Sequence, residues 1–133
     1  MKRIQDRLIE NLSATVTVSG VVMEINENSV SCIGGVSVLT RFIEEDGKFI
    51  PTKESSVTCT DNSGKFSISE IVTNIRKVPI VFQSGITTDL REVPIVFQID
   101  KFEAKCISIY ISPETNEQDV SVVIQLNRQK ILG

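Results

Sequence analysis

The chain has 133 residues, 14 Lys and Arg against 17 Asp and Glu, no His, no Trp and three Cys. This length suits one domain with a real core, and the formal charge of −3 gives no basic footprint for nucleic acid. Lack of histidine removes the usual base near neutral pH and the commonest metal ligand, which excludes serine–histidine and cysteine–histidine hydrolases and histidine-containing zinc sites.

Residue types point to strands. Val (16), Ile (18) and Thr (10) far outnumber Ala (2) and Leu (6). β-branched side chains lose rotamer freedom in helices and fit a pleated surface, so the ratio predicts an all-β fold. The start, Met1 to Leu8, is basic but lacks the apolar core of a secretory signal, and no apolar run is long enough to span a membrane. The expectation is a chain made in the cytoplasm. If it forms an extracellular or particle-surface structure, it leaves by lysis or another route that needs no signal.

Three regions are expected: an arm or short helix over 1–13, one β-sandwich over 14–126, and a tail over 127–133. In the first, Ile4, Leu8, Ile9 and Leu12 recur at helical spacing among charges. Two readings fit, an amphipathic helix capping the sandwich or an arm docking on another subunit. From Ala14 the period becomes two. Val16 and Val18 share one phase while Val21, Met23 and Ile25 take the other, which predicts a bulge or bend at Gly20. Asn26 to Ser29 reads as a turn. Val36, Val38 and Phe42 then share a face, and Glu44 to Lys48 forms a charged hairpin tip. Residues 51–56 read as an exposed connection. Val57 to Thr60, the turn Asp61 to Gly64, and Lys65 to Ile68 form the clearest strand–turn–strand unit.

One internal repeat stands out. Arg76 to Gln83 recurs as Arg91 to Gln98, with seven identities in eight positions at an offset of 15. Each copy carries proline, which cannot donate to a ladder, so both copies are expected at sheet edges. On that reading Val78, Pro79, Ile80 and Phe82, with Val93, Pro94, Ile95 and Phe97, are assembly edge strands. Plain structural redundancy is the alternative. Later, Ile107, Ile109 and Ile111 share one face, and Val120, Val122, Ile124 and Leu126 share another. Eight to ten strands at this spacing predict an antiparallel sandwich of immunoglobulin-like, transthyretin-like or jelly-roll type.

The stretch from Val18 to Ile68 resembles the first half of a carboxypeptidase-regulatory-like (transthyretin-like) β-sandwich. Gly20-Val21-Val22, Gly35-Val36-Ser37-Val38 and the run Thr60-Asp61-Asn62-Ser63-Gly64-Lys65-Phe66-Ser67-Ile68 carry the likeness. The usual proline is absent, with Cys32 near its place, and the insertion over 44–55 is long. The resemblance implies a sandwich fold and a non-enzymatic stability or interaction role.

An odd number of cysteines cannot all pair within the chain. Their spacing matches no zinc pattern. Cys59 shares parity with Val57 and is expected in the core, Cys106 opposes the Ile face and should point outward, and Cys32 lies near a turn. Cys32 itself is expected in an accessible turn. Either all three are reduced structural thiols, or Cys32 or Cys106 cross-links subunits. Of the acids, Glu44, Glu45, Asp46 and Asp61 fall on turn tips, poorly placed for the cleft that paired-carboxylate catalysis needs. No catalytic residue, cofactor, metal, nucleic-acid partner or membrane insertion is expected. The leading reading is a self-assembling structural subunit of a filament, appendage, coat or virion, a homo-oligomer held through strand edges and a terminal arm. A monomeric protein- or carbohydrate-binding accessory module, using loops 44–56 or 84–92, is the alternative.

Overall fold

A computed structural model describes residues 14–53, 56–72, 76–81, 87–111 and 117–130, with the backbone alone over 70–72, 76–81 and 87–91. The described chain is all strand and turn. Eleven strands follow in order: β1 (Ala14–Asn26), β2 (Ser29–Cys32), β3 (Ser37–Leu39), β4 (Phe42–Glu45), β5 (Lys48–Pro51), β6 (Val57–Cys59), β7 (Lys65–Val72), β8 (Arg76–Val81), β9 (Thr87–Gln98), β10 (Lys105–Ile111) and β11 (Glu117–Gln125). That is one more than the upper expectation, because the 42–51 hairpin forms a small sheet of its own.

Two sheets make the sandwich. In the first, β1 is central, with β11 on one side and β7 and β2 in tandem on the other. In the second, the order is β10-β9-β3-β6, and β8 also pairs with β9. Most ladders are antiparallel, but β1 and β11 run parallel from Thr15↔Glu117 to Met23↔Gln125. The core between the sheets is drawn from both. Val16, Val18, Val22, Phe66, Ile68 and Ile124 meet Val36, Val38, Val93, Ile95, Phe97, Ile109 and Ile111. The Phe66 and Phe97 rings meet edge to face, with centroids 5.3 Å apart, which joins the sheets at the centre.

The period-two reading holds for the last strands. Ile109, Ile111, Ile124 and Leu126 are buried, while Ile107, Val120 and Val122 are half-buried against the same core. At Gly20 the expectation fails. The buried positions keep one phase on either side of Gly20, Ala14, Val16 and Val18 before it and Val22 and Glu24 after it, with Ser19, Gly20 and Val21 half-buried between, and the β11 register crosses Gly20 without a step. The inward phase passes through Gly20 to Val22 and Glu24, and Val21, Met23 and Ile25 face out. Glycine is required here for closeness, not for bending. A methyl group at position 20 would collide with the carbonyl oxygen of Val122 on β11.

The Asp61–Gly64 turn also differs in what it joins. β6 lies in the second sheet and β7 in the first, so the turn is a corner between sheets rather than a hairpin. Asp61 Oδ1 accepts the amides of Ser63 and Lys65, each at 2.9 Å. Gly64 takes φ +74° and gives its carbonyl to the Val22 amide at 2.8 Å. Beside it, the buried Thr60 hydroxyl donates to the Ile33 carbonyl at 2.7 Å and accepts the Val36 amide at 3.0 Å. Here the chain crosses between sheets with its polar groups satisfied.

Candidate functional site

Strand edges come first, because the sequence points to them. The two copies of the repeat are neighbours, β8 and β9, but they are not equivalent. β8 pairs only with β9 among the described residues, so Val78, Pro79 and Ile80 lie on an edge strand. β9 is internal, flanked by β10 on one side and by β8 and β3 on the other. The edge expectation for Val93, Pro94, Ile95 and Phe97 is therefore corrected. Val93, Ile95 and Phe97 are buried core residues. Pro94 is tolerated for a local reason: β8 pairing ends at Glu92 and β3 pairing starts at Val96, so that flank needs no donor from residue 94. Phe82, and the arm residues Ile4, Leu8, Ile9 and Leu12, lie outside the described residues, as do tail residues 131–133.

The sandwich's two long edges differ. β10 and β11 close one flank together, where the Gln118 amide donates to the Tyr110 carbonyl at 3.4 Å and Lys105 Nζ to the Gln125 carbonyl at 3.3 Å. At the opposite flank β2 stands at the end of its sheet, and all four of its residues are exposed. Its outer face continues an apolar strip. Ile25 pairs with Val30, Met23 with Cys32, and Val21 with Val123. Ile25, Val30 and Val123 are 51%, 59% and 68% exposed.

All three cysteines are free and exposed. For Cys59 this reverses the expectation. Val38 faces the core, so its partner Thr58 does too, and Val57 and Cys59 turn outward beside Leu39 and Ser37. Cys106 points away from the Ile face, opposite Val96. Partial burial and then the negative charge of Glu92 push its thiol pKa up, with a smaller opposing effect of the Ile95 backbone, so less of it is thiolate than at an ordinary cysteine.

The acids do not converge. Glu44, Glu45 and Asp46 are exposed on the β4–β5 hairpin, and Asp61 is engaged in its own turn. Among the described residues no group of three or more Cys, Asp or Glu is placed to hold a metal. No helix of the described residues is long and apolar enough to cross a membrane.

Two features escape a sequence reading. Gln98 grips the Phe49 backbone, with its amide donating to the carbonyl at 2.6 Å and its oxygen accepting the N–H at 3.3 Å, and so holds the β4–β5 hairpin against the sandwich. Between that hairpin and the β9–β10 turn runs an open groove of about 990 Å³, lined by Asp46, Lys48, Phe49, Asp100 and Lys101 among others. The second is Glu24, a buried carboxylate on the core side of β1. Arg128 reaches it with Nε at 2.5 Å and lies 4.9 Å over the Phe102 ring. Glu103 and Gln129 add backbone bonds to Asn127 and Lys101, so residues 127–130 fold onto the β9–β10 turn of the same chain. The signal for Glu24 was a charge in the inward phase of β1, obscured by the assumed switch at Gly20.

No protein-family model matches the chain, and no curated protein matches it. Among solved structures it is similar to the 3-chlorocatechol 1,2-dioxygenase of Rhodococcus opacus 1CP, with a TM-score of 0.50, 14% identity, and coverage of 87% of this chain and 60% of that one. It also matches GBS52, the minor pilin of Streptococcus agalactiae (TM-score 0.45, 12% identity, 92% of this chain and 48% of that one). The shaft pilin SpaA of Lactobacillus rhamnosus GG is another match (TM-score 0.40, 8% identity, 89% and 50%). The chain thus spans less than two thirds of each of these structures. At these identities the first likeness speaks to the fold alone.

Proposed function

We propose that this chain is a non-enzymatic structural subunit, a β-sandwich that associates with copies of itself in a filament, appendage, coat or virion. The observation that carries the reading is an unprotected sheet edge bordered by exposed apolar residues, β2 with Val30 and its neighbour Ile25. Charge and proline on the edge are two ways monomeric sandwiches avoid such pairing, and β2, four residues long, carries neither. In this reading residues 1–12 reach a neighbouring subunit, and Cys32 or Cys106 locks the contact. Their exposure supports that role, and the raised pKa of Cys106 leaves less of that thiol as thiolate to exchange. The turn chemistry of Thr60 to Ile68 supports placing the first half of the domain with the carboxypeptidase-regulatory-like sandwiches.

Electron microscopy of the purified protein, with and without reductant, tests the class. Filaments or closed shells are expected. A chain lacking residues 1–12 should remain folded by circular dichroism yet fail to assemble; normal assembly of that truncation would end the arm reading. The groove beside the 45–50 hairpin favours a second reading, a monomeric binding module. A mass near 14.7 kDa in light scattering at every concentration would favour that module over assembly.

A further inference from the structure

We infer that the second sheet has two registers: the two copies of the repeat compete for one position between β3 and β10, and a minor state of the chain seats residues 76–83 where residues 91–98 lie. The inference stands apart from the self-assembly reading. It rests on the repeat together with the course of the backbone around it.

The position accepts either copy. In the observed register Val93, Ile95 and Phe97 fill the core, Phe97 meets Phe66, and Val96 is buried on the other face beside Leu39. A shift of 15 residues replaces Val93, Ile95, Val96 and Phe97 by Val78, Ile80, Val81 and Phe82, the same side chains in the same order. Core volume is unchanged, so the packing penalty that normally excludes a rival strand is missing. Pro79 takes the place of Pro94, and Gln83 that of Gln98, which grips Phe49. Of the eight positions only one differs, where Lys77 replaces Glu92 opposite Tyr110.

The topology brings the rival to the entrance. β8 runs antiparallel to β9, and Arg76 is the partner of Glu92. Residue 76 therefore stands one strand spacing, about 5 Å, from the point where the chain enters the position. Residues 76–90 leave that point along β8 and return to it along the first part of β9. In the second register this excursion moves to the other end of the strand. Residues 76–83 enter directly, and 84–104 replace 99–104 as the link to β10. Loop entropy grows slowly with length, so the longer link adds little. The observed register is the major one because it keeps the six-pair β8–β9 ladder and the short turn that buries Phe102. The minor register releases 91–98 from the core, so exposure of that apolar strand is conditional on the shift.

Disulfide trapping tests it. Cys106 opposes Val96 in the observed register, and so opposes Val81 in the second. In the observed register residue 81 lies beside Thr87, nine residues along β9 from Val96, about 30 Å at ~3.3 Å per residue. The full chain carries Cys32→Ser and Cys59→Ser, with either Val81→Cys or, to report the observed register, Val96→Cys. Under oxidised glutathione both are expected to close onto Cys106 within one chain, the residue 81 bond more slowly, as peptide mapping shows. Adding Ile80→Asp puts a carboxylate in the core only in the second register and leaves the core residues of β9 untouched. It should slow the 81–106 bond at least tenfold while circular dichroism shows a folded chain. An equal rate with Ile80→Asp would trace the bond to unfolded chain and overturn the inference. So would closure by Val96→Cys with none by Val81→Cys. A bond between two chains would put the strand in a second copy's sheet and overturn exchange within one chain.

Discussion

Glu24 shows how one side chain can depend on a residue over a hundred positions away. It occupies an inward position on β1, where its neighbours in phase are Val22 and Val18, and it is 7% exposed. A carboxylate there loses water and needs a partner. Arg128 supplies two guanidinium bonds, Nε to Oε2 and Nη2 to Oε1, and shields the pair by lying over Phe102. Arg128 is mostly exposed, so its own desolvation is small, while its loss strands the carboxylate. Arg128→Ala should therefore lower the urea midpoint, and adding Glu24→Met should recover most of the loss, since an apolar side chain of similar size suits that position. No recovery in the double variant would show that Arg128 acts through packing on Phe102 instead.

At the scale of elements, what decides a strand's place is who its neighbours are, and a sequence states this unevenly. β10 and β11 were legible because their apolar residues alternate strictly and one face is buried, so parity alone gave the inward set. β9 was not. Its proline argues for an edge, and of the strands that make it internal, β10 follows directly but β3 is remote in sequence. Cys59 was misplaced for a related reason: parity within β6 is visible, but the side on which the core lies is set by Val38 across the ladder. The candidate contact at β2 was invisible for the same cause, since Val30 joins Ile25 only once the Glu27–Asn28 turn folds the strands together. Gly20 gives the sharpest test of element packing. The β11 backbone approaches it too closely for a side chain, so Gly20→Ala must push β11 outward along a parallel ladder. The loss should be about 3 kcal/mol, at the upper end of overpacking effects because backbone cannot yield as a side chain can. Chemical denaturation measures it, and a loss below about 1 kcal/mol would mean that β11 shifts freely.

Over the whole molecule, the order of pairing separates local from distant contacts. The corner from Thr60 to Lys65 closes through hydrogen bonds between residues a few positions apart, and it joins β6 and β7 to the 33–36 segment. The β1–β11 ladder pairs Thr15 with Glu117, and closing a loop of about a hundred residues costs on the order of 4 kcal/mol in chain entropy before any contact repays it. Residues on β7 should therefore be structured in the folding transition state while β11 docks afterwards. Ile68 and Ile124 make a matched pair, since both are buried in the same core and lie on strands that flank β1 on opposite sides. Each substitution to Ala should cost about 2–5 kcal/mol, large enough for a reliable ratio of kinetic to equilibrium effects. Ile68→Ala is expected to slow folding. Ile124→Ala should leave the folding rate nearly unchanged and speed unfolding instead. Stopped-flow chevrons of the two variants in reductant give both limbs. If Ile124→Ala slows folding as much as Ile68→Ala, the parallel ladder forms in the nucleus, and β11 is then bound too early in folding to be the last strand to dock.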